Sequence, residues 1–82
     1  MEEAERISRI RWACRRGIRE LDLWFLGYLK NNYPTASENE KQTFEQLLQF
    51  PDQELFDWFM EKSQPVEKSL VEIIGVIRKS AN

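Results

Sequence analysis

Apolar positions along the chain recur at spacings of three and four, and only three glycines and three prolines interrupt them. That period predicts helices, five of them and all short. The clearest face belongs to residues 18–31, where Leu21, Trp24, Phe25, Tyr28 and Leu29 fall at i, i+3, i+4, i+7 and i+8. Before it, a helix over about residues 3–14 puts Ile7, Ile10 and Cys14 on one stripe, and Gly17 is placed to end it. Asn31-Asn32-Tyr33-Pro34 closes the second helix, because Asn tolerates a left-handed cap and proline pushes the preceding residue out of the helical region. Leu23 and Leu26 lie off the main stripe, so either neighbouring helices cover them or part of that face is kept for a partner.

Ser37-Glu38-Asn39-Glu40 reads as a capping box, the serine oxygen accepting from the Glu40 amide and the glutamate reaching back. It starts a third helix over residues 38–49 that buries Phe44, Leu47 and Leu48. Pro51-Asp52 breaks the chain and restarts it as a fourth helix over 53–61, with Leu55, Trp58 and Phe59 inward and acids in the first turn. Gln64-Pro65 repeats the device, and a last helix over 66–79 buries Leu70, Ile73, Ile74 and Ile77, with Arg78 and Lys79 at its negative end. The β-branched run from Val71 to Ile77 has no partner strand elsewhere, so a strand there is unsupported. The expected fold is all-α, a compact bundle forming a single domain over residues 1–82.

Charge sharpens this picture. The net of −2 gives no general attraction to nucleic acid, yet six of the seven arginines lie within residues 1–19, a local +3. Residues 34–62 carry a local −5. The bland reading of the arginines is a solvated helix face, a few of them paired with Glu2, Glu3 and Glu5. A small nucleic-acid-binding regulator of the helix-turn-helix kind would use them otherwise. Its second helix, however, would carry Leu23, Trp24, Phe25 and Leu26 where residues that read base edges are needed.

Catalysis finds little to work with. There is no histidine, and Cys14 is the single cysteine, which excludes an internal disulfide, a Cys/His zinc cluster and most acid–base chemistry near neutral pH. Glu20 and Asp22 at i, i+2 point apart, and Cys14 on an apolar stripe reads as a buried, inert thiol. No catalytic or metal-ligating residue is expected, and without a GxGxxG loop no stably bound cofactor is expected either. An acidic opening with no apolar run after it, and no apolar stretch of spanning length, lead us to expect a soluble, cytoplasmic monomer.

One stretch, residues 9–22, resists the bland reading. Trp12 lies off the Ile7, Ile10, Cys14 stripe, so its indole is either exposed among arginines, the composition of a binding hot spot, or packed beneath the last helix. Gly17 admits a close backbone approach or a positive φ. Arg16 offers a planar fork for a carboxylate or carbonyl, and Glu20 an acceptor four residues on. In a continuous helix these two would pair with each other.

Arg16-Gly17-Ile18-Arg19-Glu20 resembles the RGxxE motif of the succinate dehydrogenase assembly factor family. The wider string Arg9-x-x-Trp12-x-x-Arg15-Arg16-Gly17-x-x-Glu20-Leu21-Asp22 is similar to the family's N-terminal signature, and Phe44-x-x-Leu47-Leu48 with Asp52-x-x-Leu55-Phe56-x-Trp58 to its second block. The resemblance implies a five-helix chaperone that promotes covalent FAD attachment to the flavoprotein subunit of succinate dehydrogenase or fumarate reductase. It also implies that Arg16, Gly17 and Glu20 contact that partner, with Arg9, Trp12, Arg15 and Asp22 as neighbours. The FAD would be the partner's. An antitoxin or cytoskeleton-related interaction role, also described in bacterial members, is the alternative.

Overall fold

The computed structural model describes residues 2–80, and within them the apolar period resolves into five α-helices: α1 (Glu2–Ala13), α2 (Arg19–Asn31), α3 (Glu38–Leu47), α4 (Asp52–Phe59) and α5 (Lys68–Ser80). No strand occurs among the described residues, and residues 71–77 lie within α5. The expected inward sets hold except that Ile7 and Trp24 are only half-buried against the core. Leu21, Phe25, Tyr28 and Leu29 of α2 are buried, as are Leu55, Trp58 and Phe59 of α4 and Leu70, Ile73, Ile74 and Ile77 of α5.

The core is an aromatic cluster around α2. Phe25 meets Phe59 edge-on with centroids 5.4 Å apart and Phe44 at 6.1 Å, while Trp24 stacks on Phe59 at 4.9 Å. Offset and edge contacts of this kind add about 0.5–1.5 kcal/mol each beyond the area they bury. Helix α5 lies across α2 and α3 and closes the cluster. Leu26 packs partly against this core, whereas Leu23 stays exposed.

Several element ends differ from the sequence reading, and each has a local cause. Helix α4 stops at Phe59 because Glu61 adopts a left-handed φ of 61°. Lys62 N–H then bonds the Asp57 carbonyl at 2.8 Å and Glu61 N–H the Trp58 carbonyl at 3.2 Å, a Schellman closure with glutamate where glycine is usual. Helix α5 begins at Lys68, not at Val66, whose side chain is fully exposed. Asn32 keeps a right-handed φ of −118°, so α2 runs on into a 3-10 turn at Tyr33–Thr35 in place of the expected left-handed cap. That turn carries Tyr33 into the core, with the Lys41 ammonium 5.0 Å above its ring.

The capping box forms by half. Ser37 Oγ accepts from Glu40 N–H at 3.1 Å, but the Glu40 carboxylate accepts from the Tyr28 hydroxyl and does not reach back. Burial and this bond together raise the Tyr28 pKa above the ordinary phenol value.

Candidate functional site

Helix α1 ends at Ala13 and α2 begins at Arg19, so residues 14–18 form a linker and the helix does not run through the RGxxE string. The turn expected near Gly17 is present, and the Arg16–Glu20 pair that a continuous helix would have allowed does not form. Arg16 turns inward. Its Nε donates to Asp52 Oδ1 at 2.8 Å, one terminal nitrogen to the carbonyls of Ala13 at 2.8 Å and Leu48 at 3.0 Å, and the other to the Phe50 carbonyl. Ala13 is the last residue of α1, and Leu48 and Phe50 lie just beyond α3, where helix geometry leaves carbonyls without partners. One guanidinium thus closes the ends of two helices and grips the first residue of a third.

The linker backbone is held by carboxylates from two other helices. Asp52 Oδ2 accepts from Gly17 N–H at 2.9 Å, and Asp22 Oδ1 accepts from Arg16 N–H. Gly17 has no positive φ, contrary to one of its two expected uses. The other expected use, a close backbone approach, is not met within the chain either; the close neighbour is the Asp52 side chain. A Cβ at Gly17 would lie 3.3 Å from Asp52 Oδ2, so a larger residue presses on the carboxylate that pins it.

Other expected site residues face solvent. The Trp12 side chain is 75 % exposed and does not pack beneath α5; the Arg15 guanidinium lies 5.7 Å from its ring centroid. Arg9 and Glu20 are exposed, and Glu20 has no hydrogen-bond or ion-pair partner among the described residues. Leu23, one turn beyond Glu20 on α2, is 65 % exposed. The structure therefore brings Arg16, Gly17 and Asp22 together with Asp52 and leaves Arg9, Trp12, Arg15 and Glu20 outward.

The arginine pairing differs from expectation too. Arg6 bonds Glu45 at 2.7 Å and Glu38 at 2.9 Å, across the fold, and reaches Glu3 only at 4.0 Å. Hydrogen bonding from Arg6 holds the Glu38 carboxyl below its usual pKa. Arg9, Arg11, Arg15 and Arg19 make no ion pair among the described residues. Cys14 is fully buried, and burial pushes its thiol up to about 12 against the opposing pull of Arg16 and Arg11. Such a thiol is a poor nucleophile. No group of three or more potential metal ligands occurs among the described residues, and no described helix is long and apolar enough to cross a membrane.

Sequence reasoning missed Asp52 as part of this site, treating it only as a first-turn acid of α4. The signal available was its place in the second block of the family resemblance. Comparison with known families now decides the relationship. The profile described as "flavinator of succinate dehydrogenase", Sdh5, matches residues 8–81.

The chain belongs to the Sdh5 family.

The FAD assembly factor SdhE of Yersinia pseudotuberculosis is 40 % identical to it over 76 residues, which cover 93 % of this chain and 86 % of the relative. SdhE of Pectobacterium atrosepticum shows the same identity and coverage. SdhE of Serratia is 40 % identical over 70 residues, covering 85 % of this chain and 80 % of the relative. The family match covers the second half of α1, helices α2 to α5 and both halves of the polar network around Arg16.

Proposed function

We propose that this chain is an assembly factor that promotes covalent attachment of FAD to the flavoprotein subunit of succinate dehydrogenase, or of fumarate reductase, as a non-catalytic cytoplasmic chaperone. Membership of the Sdh5 family over nearly the whole chain, with the RGxxE string intact, is the observation that carries this reading.

The geometry supports it. A partner meets Trp12 and Leu23 as apolar anchors flanking the linker, with the Arg15 and Glu20 charges beside them. An exposed aromatic bordered by arginine is the composition of an interface centre. The acceptor of the flavin bond belongs to the partner, because this chain contains no histidine and its one thiol is buried and held protonated. The factor's part is to hold the flavoprotein and its FAD in the reactive arrangement.

The test is co-expression with a succinate dehydrogenase flavoprotein subunit in cells lacking their own factor, reading covalent flavin as fluorescence in a denaturing gel. The wild-type chain restores the band. Glu20→Ala, which removes an exposed, unpaired carboxylate, weakens the band while the protein stays folded. Absence of the band with wild type would refute the proposal.

A further inference from the structure

The two charged residues of the RGxxE string face opposite ways. A guanidinium has five N–H donors, and Arg16 places four of them on acceptors of its own chain, with 14 % of the side chain exposed. Only the fifth is left over, and turning the guanidinium outward to grip a partner with its fork would mean abandoning the four. It would also strand three carbonyls and the Asp52 carboxylate in a partly buried setting, a penalty that a single new contact does not recover. Glu20 has nothing to abandon.

From this geometry we infer that Arg16 is a positioning residue, and that Asp52, 36 residues away and outside the string, is its working counterpart. This rests on the proposed function. Arg16 and Asp52 form a latch that sets the path of residues 14–18. Asp52 does so with both oxygens, one on the Arg16 side chain and one on the Gly17 amide. The latch thereby fixes where Trp12 and Arg15, at the end of α1, stand relative to Glu20 and Leu23, at the start of α2. The partner reads the outward four. The glycine leaves room for the Asp52 carboxylate beside its amide, and the arginine is needed because only a planar fork meets a carboxylate and three carbonyls at once.

The experiment titrates the purified, flavin-free flavoprotein subunit of succinate dehydrogenase with wild type, Arg16→Lys, Asp52→Ala, Asp52→Asn, Glu20→Ala and two doubles. Each variant's folded fraction is read by circular dichroism at the assay temperature. Arg16→Lys and Asp52→Ala each weaken binding about tenfold or more, the scale set by misplacing contact groups. Their double is no weaker than the worse single, whereas Arg16→Lys combined with Glu20→Ala loses more than either single and less than the product of the two, because a misplaced Glu20 already contributes less. A role confined to stability would leave the affinity of the folded fraction unchanged, so that result overturns the latch.

Wild-type affinity in Asp52→Ala beside a loss in Arg16→Lys would also overturn it, because Arg16 would then touch the partner itself. If Asp52→Ala is part-unfolded, Asp52→Asn supplies the reading. It keeps acceptor capacity on one oxygen and shifts the Gly17 amide resonance together with a smaller loss of affinity. Failure of wild type to bind the subunit is a different result, and it removes the proposed function and the latch's role in it together.

Discussion

Helix α1 and the α2–α5 core are attached to the molecule by different physics. The core is closed by buried rings and branched aliphatics, with Phe25, Tyr28, Phe44, Phe59 and Ile77 all but inaccessible to water. Among residues 2–13 only Ile10 is fully buried. Ile7 and Ala13 pack only partly against the core, and charge supplies much of the rest of the hold on α1: Arg6 on Glu38 and Glu45, Lys41 on Glu3 at 3.6 Å, and Arg16 just beyond its end. The basic N-terminal and acidic central regions of the sequence meet in these bonds, so the charge polarity along the chain serves in part as an internal fastening. Apolar packing is insensitive to salt and specific in shape; ion pairs at a surface are screened and individually weak. An element fastened in the second way is loosened by salt or acid under conditions that leave the core fixed.

The most severe way to strain this contrast is Phe25→Ala. It removes the ring at the centre of the aromatic cluster and should cost about 3–5 kcal/mol, read by urea unfolding as loss of the whole transition. A fall confined to α1 would mean the core is not one unit.

The two regions should also fail at opposite ends of the pH scale. Cys14, where the linker enters the core, has its thiol raised to about 12, and Tyr28 in the core is raised above the ordinary phenol value. A group raised on folding contributes stability that is complete below its unfolded pKa and lost as pH climbs through the folded one. Stability should therefore decline from about pH 9 upward, and Cys14→Ala should shallow that decline, measured by unfolding between pH 8 and 11. Glu38 is shifted the other way, so its contribution is present above the normal carboxylate range and lost as pH falls through its lowered value. Acid should release α1 before it disturbs the core.

A gentler probe is Arg6→Ala, expected to destabilise the chain only slightly. Amide exchange should quicken in α1 and not in α2 or α5, and raising salt on wild type should reproduce part of the change. The smallest effect belongs to Trp12→Ala, with stability unchanged within about 0.5 kcal/mol because the indole is mostly exposed and meets only the Arg15 side chain across its face. The variant should lose most of the iodide-quenchable fluorescence, since Trp24 stacks on Phe59 and Trp58 is buried. Undiminished quenching would place Trp12 against the protein and erase the outward face.

Five helices and their buried faces were legible from residues alone. Leu21, Phe25, Tyr28, Leu29 and the Leu70–Ile77 stripe repeat at a period that only a helix buries, and that information is local. The exposed Trp12 was half legible: its place off the stripe excluded α1's inner face but left the neighbouring helix open. Glu61 in a left-handed turn and Tyr33 in the core were not legible, because each is imposed by packing that overrides residue preference.

Arg16 marks the boundary most sharply. Its residue type and its glycine neighbour announced a special site, and the spacing to Glu20 allowed a pair only if one helix ran through the turn at Gly17. Its actual acceptors lie 32 to 36 residues away, apart from Ala13, and three of the four are main-chain carbonyls. Every residue carries a carbonyl, so no sequence pattern singles out Leu48 or Phe50 for the task. Which ones become available depends on where α1 and α3 stop and how those ends are brought together, and that is settled only when the chain packs.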